Sequence, residues 1–335
     1  GAVANTPLEP YAICDYYNEN DGIAEFDLLN PDLLDEILGT QDPLVYQLDF
    51  YGTLENATLE VSPLPISYVN VINPQIIYAR VTNIGTECYD ITEVILKVEL
   101  IPEVALDDFY RLCVDSLGNP IEAEDGVSSP PVIDTGLDPS IYLFEWQLNS
   151  EVLLGEIGAS ITVLAEGEYR VTVTEILTGC ESSTTTTVIT SSPPVTYSAE
   201  VTDAFASAHA ITATAEGIGE YVFQLDDNPF QESGLFLDVE PGNHLITIKD
   251  INGCGSVTIS VGVIDYPQFM TPNQDGYHDT WNIIGIANGD PTAKIYIFDR
   301  YGKLLKQLST LSEGWDGSYN GSPMPSSDYW FRVEY

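Results

Sequence analysis

Positive charge is what this sequence most lacks. Ten Lys and Arg stand against fifty-two Asp and Glu, giving a net charge of −42 over 335 residues. A surface that acidic repels nucleic-acid phosphate, so nucleic acid is not an expected partner. Histidine is scarce as well. His209, His244 and His278 lie in unrelated contexts, and neither HExxH nor GxSxG occurs. Carboxylates are so common that paired acids arise by chance and carry no weight as glycosidase evidence. The expectation is a protein without catalysis. None of the five cysteines forms a CxxC pair, which leaves zinc and thioredoxin-like chemistry without support. Gly217-x-Gly219 lacks the third glycine and the following helix of a nucleotide loop, and reads as a strand turn. No apolar run is long enough to span a bilayer. Residues 1–10 have neither the basic start nor the apolar stretch of a signal peptide, so the chain reads as a mature or internal part of an exported protein, or as a cytosolic one.

What is present is strand-forming material. Aromatic and β-branched residues are plentiful, and Gly and Pro punctuate the chain throughout. Three segments share one layout: an alternating strand, a turn, a cysteine and a second alternating strand. They are Ile77–Thr82 with Cys88, Glu168–Val173 with Cys180, and His244–Lys249 with Cys254. In the second, Tyr169, Val171 and Val173 should point inward while Arg170, Thr172 and Thr174 point out. Each layout marks the last hairpin of a β-domain, and a proline joint follows each: Ile101-Pro102, Ser191-Ser192-Pro193-Pro194 and Asp265-Tyr266-Pro267. Proline ends a ladder and stiffens the joint. The chain is therefore expected to be all-β, with tandem immunoglobulin-like β-sandwich modules at 1–101, 102–192 and 193–265 and a small β-sandwich at 266–335. The charge is uneven along it. Residues 266–335 hold eight acidic and five basic residues, and the first 265 hold forty-four and five. A near-neutral tail on an acidic chain fits a segment that must dock on something.

The tail carries four ordered blocks: Phe269–Gly276 with Asp279–Ile284, Ile295–Leu305, Gly314–Gly317 and Asp328–Val333. Together they closely resemble the gliding-motility-associated C-terminal domain of Bacteroidetes, the type B sorting domain of the type IX secretion system. The resemblance implies a non-catalytic surface protein whose partners are the type IX outer-membrane translocon and a membrane anchor protein. It places the chain at the cell surface, attached to the outer membrane, as the stalk and sorting end of an adhesin-like cargo. Each module is expected to be independently stable, and the tail to fold by itself. Tyr329–Val333 repeats the strand pattern without a following partner, so a last strand or hairpin is expected to be missing. Residues 8–101 resemble a repeat of Bacteroidetes surface adhesins, through Cys14-Asp15, Asn20-Asp21-Gly22, Phe26-Asp27-Leu28 and Asn73-Pro74-Gln75. Within it Asn30 and Pro31 predict the start of a helix over 31–38. Cys14 and Cys88 flank this module and are expected to pair, at about 4 kcal/mol in the chain-entropy model. Residues 103–192 resemble an immunoglobulin- or PKD-type sandwich, with Tyr142, Phe144, Trp146 and Leu148 on one face and Trp146 under a Cys113–Cys180 bridge. Through Gly217–Tyr221, Gln224-Leu225-Asp226, Phe230-Gln231, Pro241-Gly242 and Asp250–Gly255, residues 194–265 resemble short repeats of gliding adhesins, and Cys254, without a partner there, reads as a buried small hydrophobe.

Two site expectations follow. Arg300, Tyr301, Lys303 and Lys306 cluster on and beyond the Asp299–Gly302 turn and, with Trp315 and Asp316, are candidates for the surface that the exporter reads. Trp281, Trp315 and Trp330 are otherwise expected in the core, because so small a domain needs its large aromatics inside. Asn273, Asp275, Tyr277 (through its carbonyl) and Asp279 sit on a tight glycine turn and are candidate calcium ligands, against the plainer reading of an Asx turn. Members of the resembled family usually have Gly where Gln274 stands and Asn where His278 stands. A looser version of the same pattern is Asp15, Asn18, Asn20 and Asp21. The competing expectations are an extracellular glycan- or ligand-binding region attached to an exported enzyme, and a fixed component of the secretion apparatus.

Overall fold

The computed structural model describes residues 1–16, 20–286 and 292–334; Asn18 of the looser acidic pattern falls outside them. The chain is mostly β, built of several small sheets. It divides into two compact units. The first holds residues 1–108, 133–161 and 167–187, and the second holds 109–132, 162–166 and 188–335.

In the first unit, four strands form a sheet in the order Tyr11–Cys14, Tyr89–Glu99, Gln75–Asn83, Tyr46–Tyr51. The outer pair Tyr11–Cys14 and Tyr89–Glu99 is parallel, and the others are antiparallel. Period-two alternation puts Ile77, Ala79 and Val81 on one face together with Val94, Leu96 and Val98, where all are buried with Phe26 and Leu28. The helix Pro31–Leu38 lies on this core through Leu33, Ile37 and Leu38. It begins as the sequence predicts: the Asn30 side chain accepts from the Asp32 and Leu33 N–H groups at 3.0 and 3.2 Å, and Pro31 occupies the first turn.

A second helix, Leu54–Leu59, has no apolar stripe in the sequence to announce it. Its N-cap is Thr53, and Ala57 is its buried residue. It covers the opposite side of the sheet at Arg80, which is 5% exposed. The Arg80 guanidinium donates to the Ala57 and Thr58 carbonyls and to Glu60, and lies over the Tyr89 ring. A cation on the last carbonyls of a helix satisfies orphan acceptors and complements the helix dipole.

The same unit contains the antiparallel pair Tyr142–Leu148 and Gly167–Glu175, in which Trp146 faces Val171. Phe144, Trp146, Tyr169, Val171 and Val173 are buried as the alternation requires, and the Trp146 indole donates to the Gly158 carbonyl at 2.9 Å.

The cysteines pair otherwise than expected. Cys14 bonds Cys180, Cys113 bonds Cys254, and Cys88 is a free, exposed thiol. Ladder geometry explains the correction. Cys14 lies opposite Glu99, whereas Cys88 precedes the far end of the same eleven-residue strand. At about 3.3 Å per residue the two are roughly 35 Å apart, beyond any disulfide. Cys113 meets the same obstacle. The Val114 N–H bonds the Ser191 carbonyl at the last residue of Glu181–Ser191, and Cys180 precedes the first. Cys254 is thus a bridge partner and not a lone hydrophobe.

In the second unit, the strands Thr196–Val201, Ala210–Glu216 and Leu235–Leu237 form one sheet, and Tyr221–Leu225, Gly242–Asp250 and Ser256–Val263 form another. Ile211, Phe223, Phe236, Ile246, Ile248 and Val263 close a core between them. Around Cys113–Cys254 the unit is tied by polar contacts. Arg111 forks onto Asp125 at 3.0 Å through both terminal nitrogens and also donates to the Asn252 carbonyl. Asp250 is fully buried and spends both oxygens, on the Ser191 hydroxyl at 2.9 Å and the Cys254 N–H at 3.0 Å.

Candidate functional site

The C-terminal segment is a three-stranded antiparallel sheet in the order Leu304–Ser309, Lys294–Phe298, Trp330–Glu334, with a short hairpin at Ser318–Pro323. Ile283, Ile286, Ile295, Ile297, Leu305, Leu308 and Trp315 make its core. That core is not closed within residues 266–335. Phe205 and Ile264 pack on it, and the Phe205 N–H bonds the Ile264 carbonyl at 3.0 Å. The Phe205 ring meets Phe331 at 5.5 Å and Tyr266 at 5.6 Å between centroids, and Trp281 continues the cluster. Gly285, at φ +77°, lies so near Val263 that a Cβ on it would stand 2.1 Å from the Val263 carbonyl oxygen. His209, almost fully buried, holds Asp265 at 3.1 Å. A loop some sixty residues upstream thus supplies one aromatic wall beside the core of the tail.

The surface of this segment is distinct from its core. Asp299 builds a tight turn by accepting the Tyr301 and Lys303 N–H groups, both at 2.9 Å. The turn holds Arg300 and Tyr301 in solvent, with Tyr301 86% exposed. Lys303 at the end of the turn and Lys306 on the following strand are exposed, and the Lys303 ammonium sits 4.3 Å from the Tyr319 ring centre. Asp316 is exposed nearby in sequence to the Ser318 turn. Hydrogen bonds from the Ser318 hydroxyl and N–H, at 2.7 and 3.0 Å, hold its carboxyl below the usual range. Trp315 belongs inside. It is 2% exposed, its indole donates to the Ser318 carbonyl, and its backbone pairs with Trp281. Of the six candidate recognition residues, five are presented to solvent and Trp315 is not.

The sequence reading placed Trp330 in the core, and the structure places it outside at 66% exposure. Its strand alternates with Phe331 and Val333 packed on the core and Trp330 and Arg332 on the other face. The signal was present in that alternation. Beside it opens a groove of about 930 Å³, walled by Phe269, Met270, Met324, Tyr329 and Trp330 among others.

The glycine turn at 273–279 is a web of internal hydrogen bonds. Asp279 accepts from the Gln274 and Gly276 N–H groups at 2.6 and 2.7 Å, Asp275 from the Tyr277 N–H and the Asn273 amide, and Asn273 from the Asp275 N–H. The Tyr277 N–H and Asn273 amide also hold the Asp275 carboxyl below its usual range. Tyr277 turns its ring to solvent, and its carbonyl accepts from Thr271. The four candidate ligands are thus gathered in one turn, and each carboxylate and amide oxygen among them already accepts an internal bond. Among the described residues, no group of three His, Cys, Asp or Glu is arranged to hold a metal ion. The three histidines are dispersed, on Asp265, on Asp226 and against the Phe269 ring.

Comparison with known proteins bears on both ends of the chain. Residues 264–335 match the CHU_C type IX secretion signal domain, and residues 10–102 match the Flavobacterium inter-domain disulphide bond domain. The observed bridge fits the second description, since Cys14 lies inside the matched residues and Cys180 outside them. No curated protein matches the chain. Among solved structures, Sidekick-1 immunoglobulin domains 1-5 are similar at 11% identity and a TM-score of 0.25, over 78% of this chain and 58% of that one. The fibronectin(III)-like modules of Clostridium thermocellum CbhA are similar at 16% identity and a TM-score of 0.27, over 49% and 95%.

Proposed function

We propose that the chain is a non-catalytic surface cargo of adhesin type, whose C-terminal segment is read by the type IX outer-membrane translocon and held afterwards by an anchoring partner at the outer membrane. The sorting-signal match over 264–335 is the observation that carries this reading, and it implies export beyond the outer membrane. The layout of the segment supports it. Its Ile and Leu residues and Trp315 form a core on which Phe205 packs, while Arg300, Tyr301, Lys303 and Lys306 stand in solvent on one turn and its following strand. These carry three of the five basic residues of the tail, in a chain that is otherwise strongly acidic. An exposed basic hairpin on an acidic cargo offers a receptor a local field of distinct sign. The upstream β-modules, tied by disulfides, act as a stalk that holds an adhesive region from the cell, with a role in gliding or adhesion.

The test is a fusion of the 335-residue chain to a periplasmic reporter in a host with an active type IX system. Export and surface retention of the reporter are expected. A reporter that folds and stays periplasmic would overturn the reading.

A further inference from the structure

The three-stranded sheet of the C-terminal segment has a second face. Ile295, Ile297, Leu305, Leu308, Phe331 and Val333 turn toward the core, and the residues between them turn away from it. The register sets these outward residues in rows. Phe298 stands opposite Leu304 on one side and Trp330 on the other, and Tyr296 stands between Gln307 and Arg332. Neighbouring strands lie about 4.8 Å apart, so the row of Leu304, Phe298 and Trp330 is about 10 Å across. Leu304 and Trp330 are 47% and 66% exposed, and Phe298 is half-buried. The wet face of an antiparallel sheet is ordinarily polar. Here the row nearest the Asp299–Gly302 turn is wholly apolar, and Tyr301 on that turn adds another exposed ring.

Cations surround the row. Residues 294–309 and 330–334, which build the sheet and its turn, hold Lys294, Arg300, Lys303, Lys306 and Arg332 against Asp299 and Glu334. That is half of the Lys and Arg in a chain of net charge −42. Both acids are engaged: one Asp299 oxygen accepts the Tyr301 and Lys303 N–H groups, and Glu334 pairs with Arg332. The Arg332 guanidinium lies 5.1 Å from the Tyr296 ring centre, which joins charge to ring within the face. A partner for this surface has to offer negative charge and apolar depth together. A protein would need a pocket moulded to a projecting turn. An anionic bilayer needs none, because Trp and Tyr settle at the level of the headgroups while Lys and Arg meet their negative charge.

We propose, resting on the reading of the chain as surface-held cargo, that the hairpin end of this sheet docks on an anionic lipid bilayer. Tyr301, Leu304 and Trp330 are its apolar contacts, and Arg300, Lys303 and Lys306 supply the charge. Leu304 and Trp330 have no part in the sorting reading, so the two can be separated by substitution.

The test is co-sedimentation of the purified 335-residue chain with vesicles of phosphatidylcholine containing one-third phosphatidylglycerol, in about 150 mM salt, where repulsion from the acidic modules is screened beyond about 8 Å. Saturable binding is expected, and binding at least about tenfold weaker to phosphatidylcholine alone. Trp330 is the most exposed of the four tryptophans, and its emission should move to shorter wavelength on the vesicles. Trp330→Phe should keep binding within about twofold and lose that shift. Leu304→Ser with Trp330→Ser should weaken binding at least about tenfold and leave the thermal midpoint unchanged, since both side chains are exposed. Should that variant fail to fold, Tyr301→Ser is read instead, with a loss of about threefold or more expected. The assay has no export step, so a negative result leaves the sorting reading standing, and failure of export leaves the assay readable. No binding to the anionic vesicles, or unaltered binding of the folded apolar variants, would overturn the proposal. Displacement by inorganic phosphate at constant ionic strength would overturn it in favour of a free-anion site, and equal affinity for soluble polyglutamate in favour of an acidic peptide.

Discussion

The two ends of the chain join their neighbours by opposite means. The N-terminal region closes its own core from residues within its first hundred and then attaches outward through one covalent bond, Cys14–Cys180. The C-terminal segment has no cysteine, and it leaves its core open until Phe205 completes it. A covalent tether constrains the unfolded chain and needs no broad contact. A borrowed aromatic makes one domain's fold conditional on another's.

Removing the tether should have the largest effect. The bridge spans 166 residues in sequence, and the chain-entropy model assigns such a loop up to about 5 kcal/mol. The double variant Cys14→Ser, Cys180→Ser should lower the urea midpoint of the first unit by a corresponding amount and leave the C-terminal transition in place. Gly285→Ala comes next. It adds strain at positive φ and a Cβ where the Val263 carbonyl stands, at about 3 kcal/mol, seen as a loss of the C-terminal transition alone. Phe205→Ala should cost about 2–3 kcal/mol, less than a fully buried phenylalanine, and shift Trp281 fluorescence to longer wavelength although the substitution lies far from it in sequence.

A change in the other direction sharpens the contrast. Gln274 and His278 both adopt left-handed backbone, at φ +65° and +53°. Gln274→Gly should stabilise the C-terminal segment by about 1 kcal/mol. The smallest effect concerns pH. Burial works against a charged His244, but hydrogen bonds with Asp226 and the Glu240 carbonyl outweigh it and raise its pKa. Partial burial pushes Asp226 up, while the Leu245 N–H and His244 hold it below its usual value. The histidine's contribution is complete below its ordinary pKa of about 6.5 and fades as pH rises through the raised value. That of Asp226 fades as pH falls through its depressed value. Asp226→Asn should therefore destabilise more at pH 6 than at pH 9, compared by thermal midpoints.

What the sequence made legible was local or periodic. Asn30-Pro31 announced a helix because capping needs adjacent residues. The alternation at 169–173 sorted inward from outward side chains, and the same rule applied to 330–333 would have put Trp330 outside. The pairing of cysteines was hidden because it depends on which end of a strand each one reaches, a property of register and not of order. The Leu54–Leu59 helix was hidden because its buried face is a single alanine capped by an arginine from a strand. Phe205 sits in a loop without periodicity, so nothing local marks it as part of another core.

The central claim is that the exposed basic hairpin of a folded C-terminal segment is what the exporter reads. The most direct measurement is surface display of a reporter fused to the 335-residue chain carrying Arg300→Glu, Lys303→Glu and Lys306→Glu together, with near-ultraviolet circular dichroism of the same purified chain as the control for folding. At least a tenfold loss of display with an unchanged spectrum is the predicted result. Display at the wild-type level from the charge-reversed segment would contradict it.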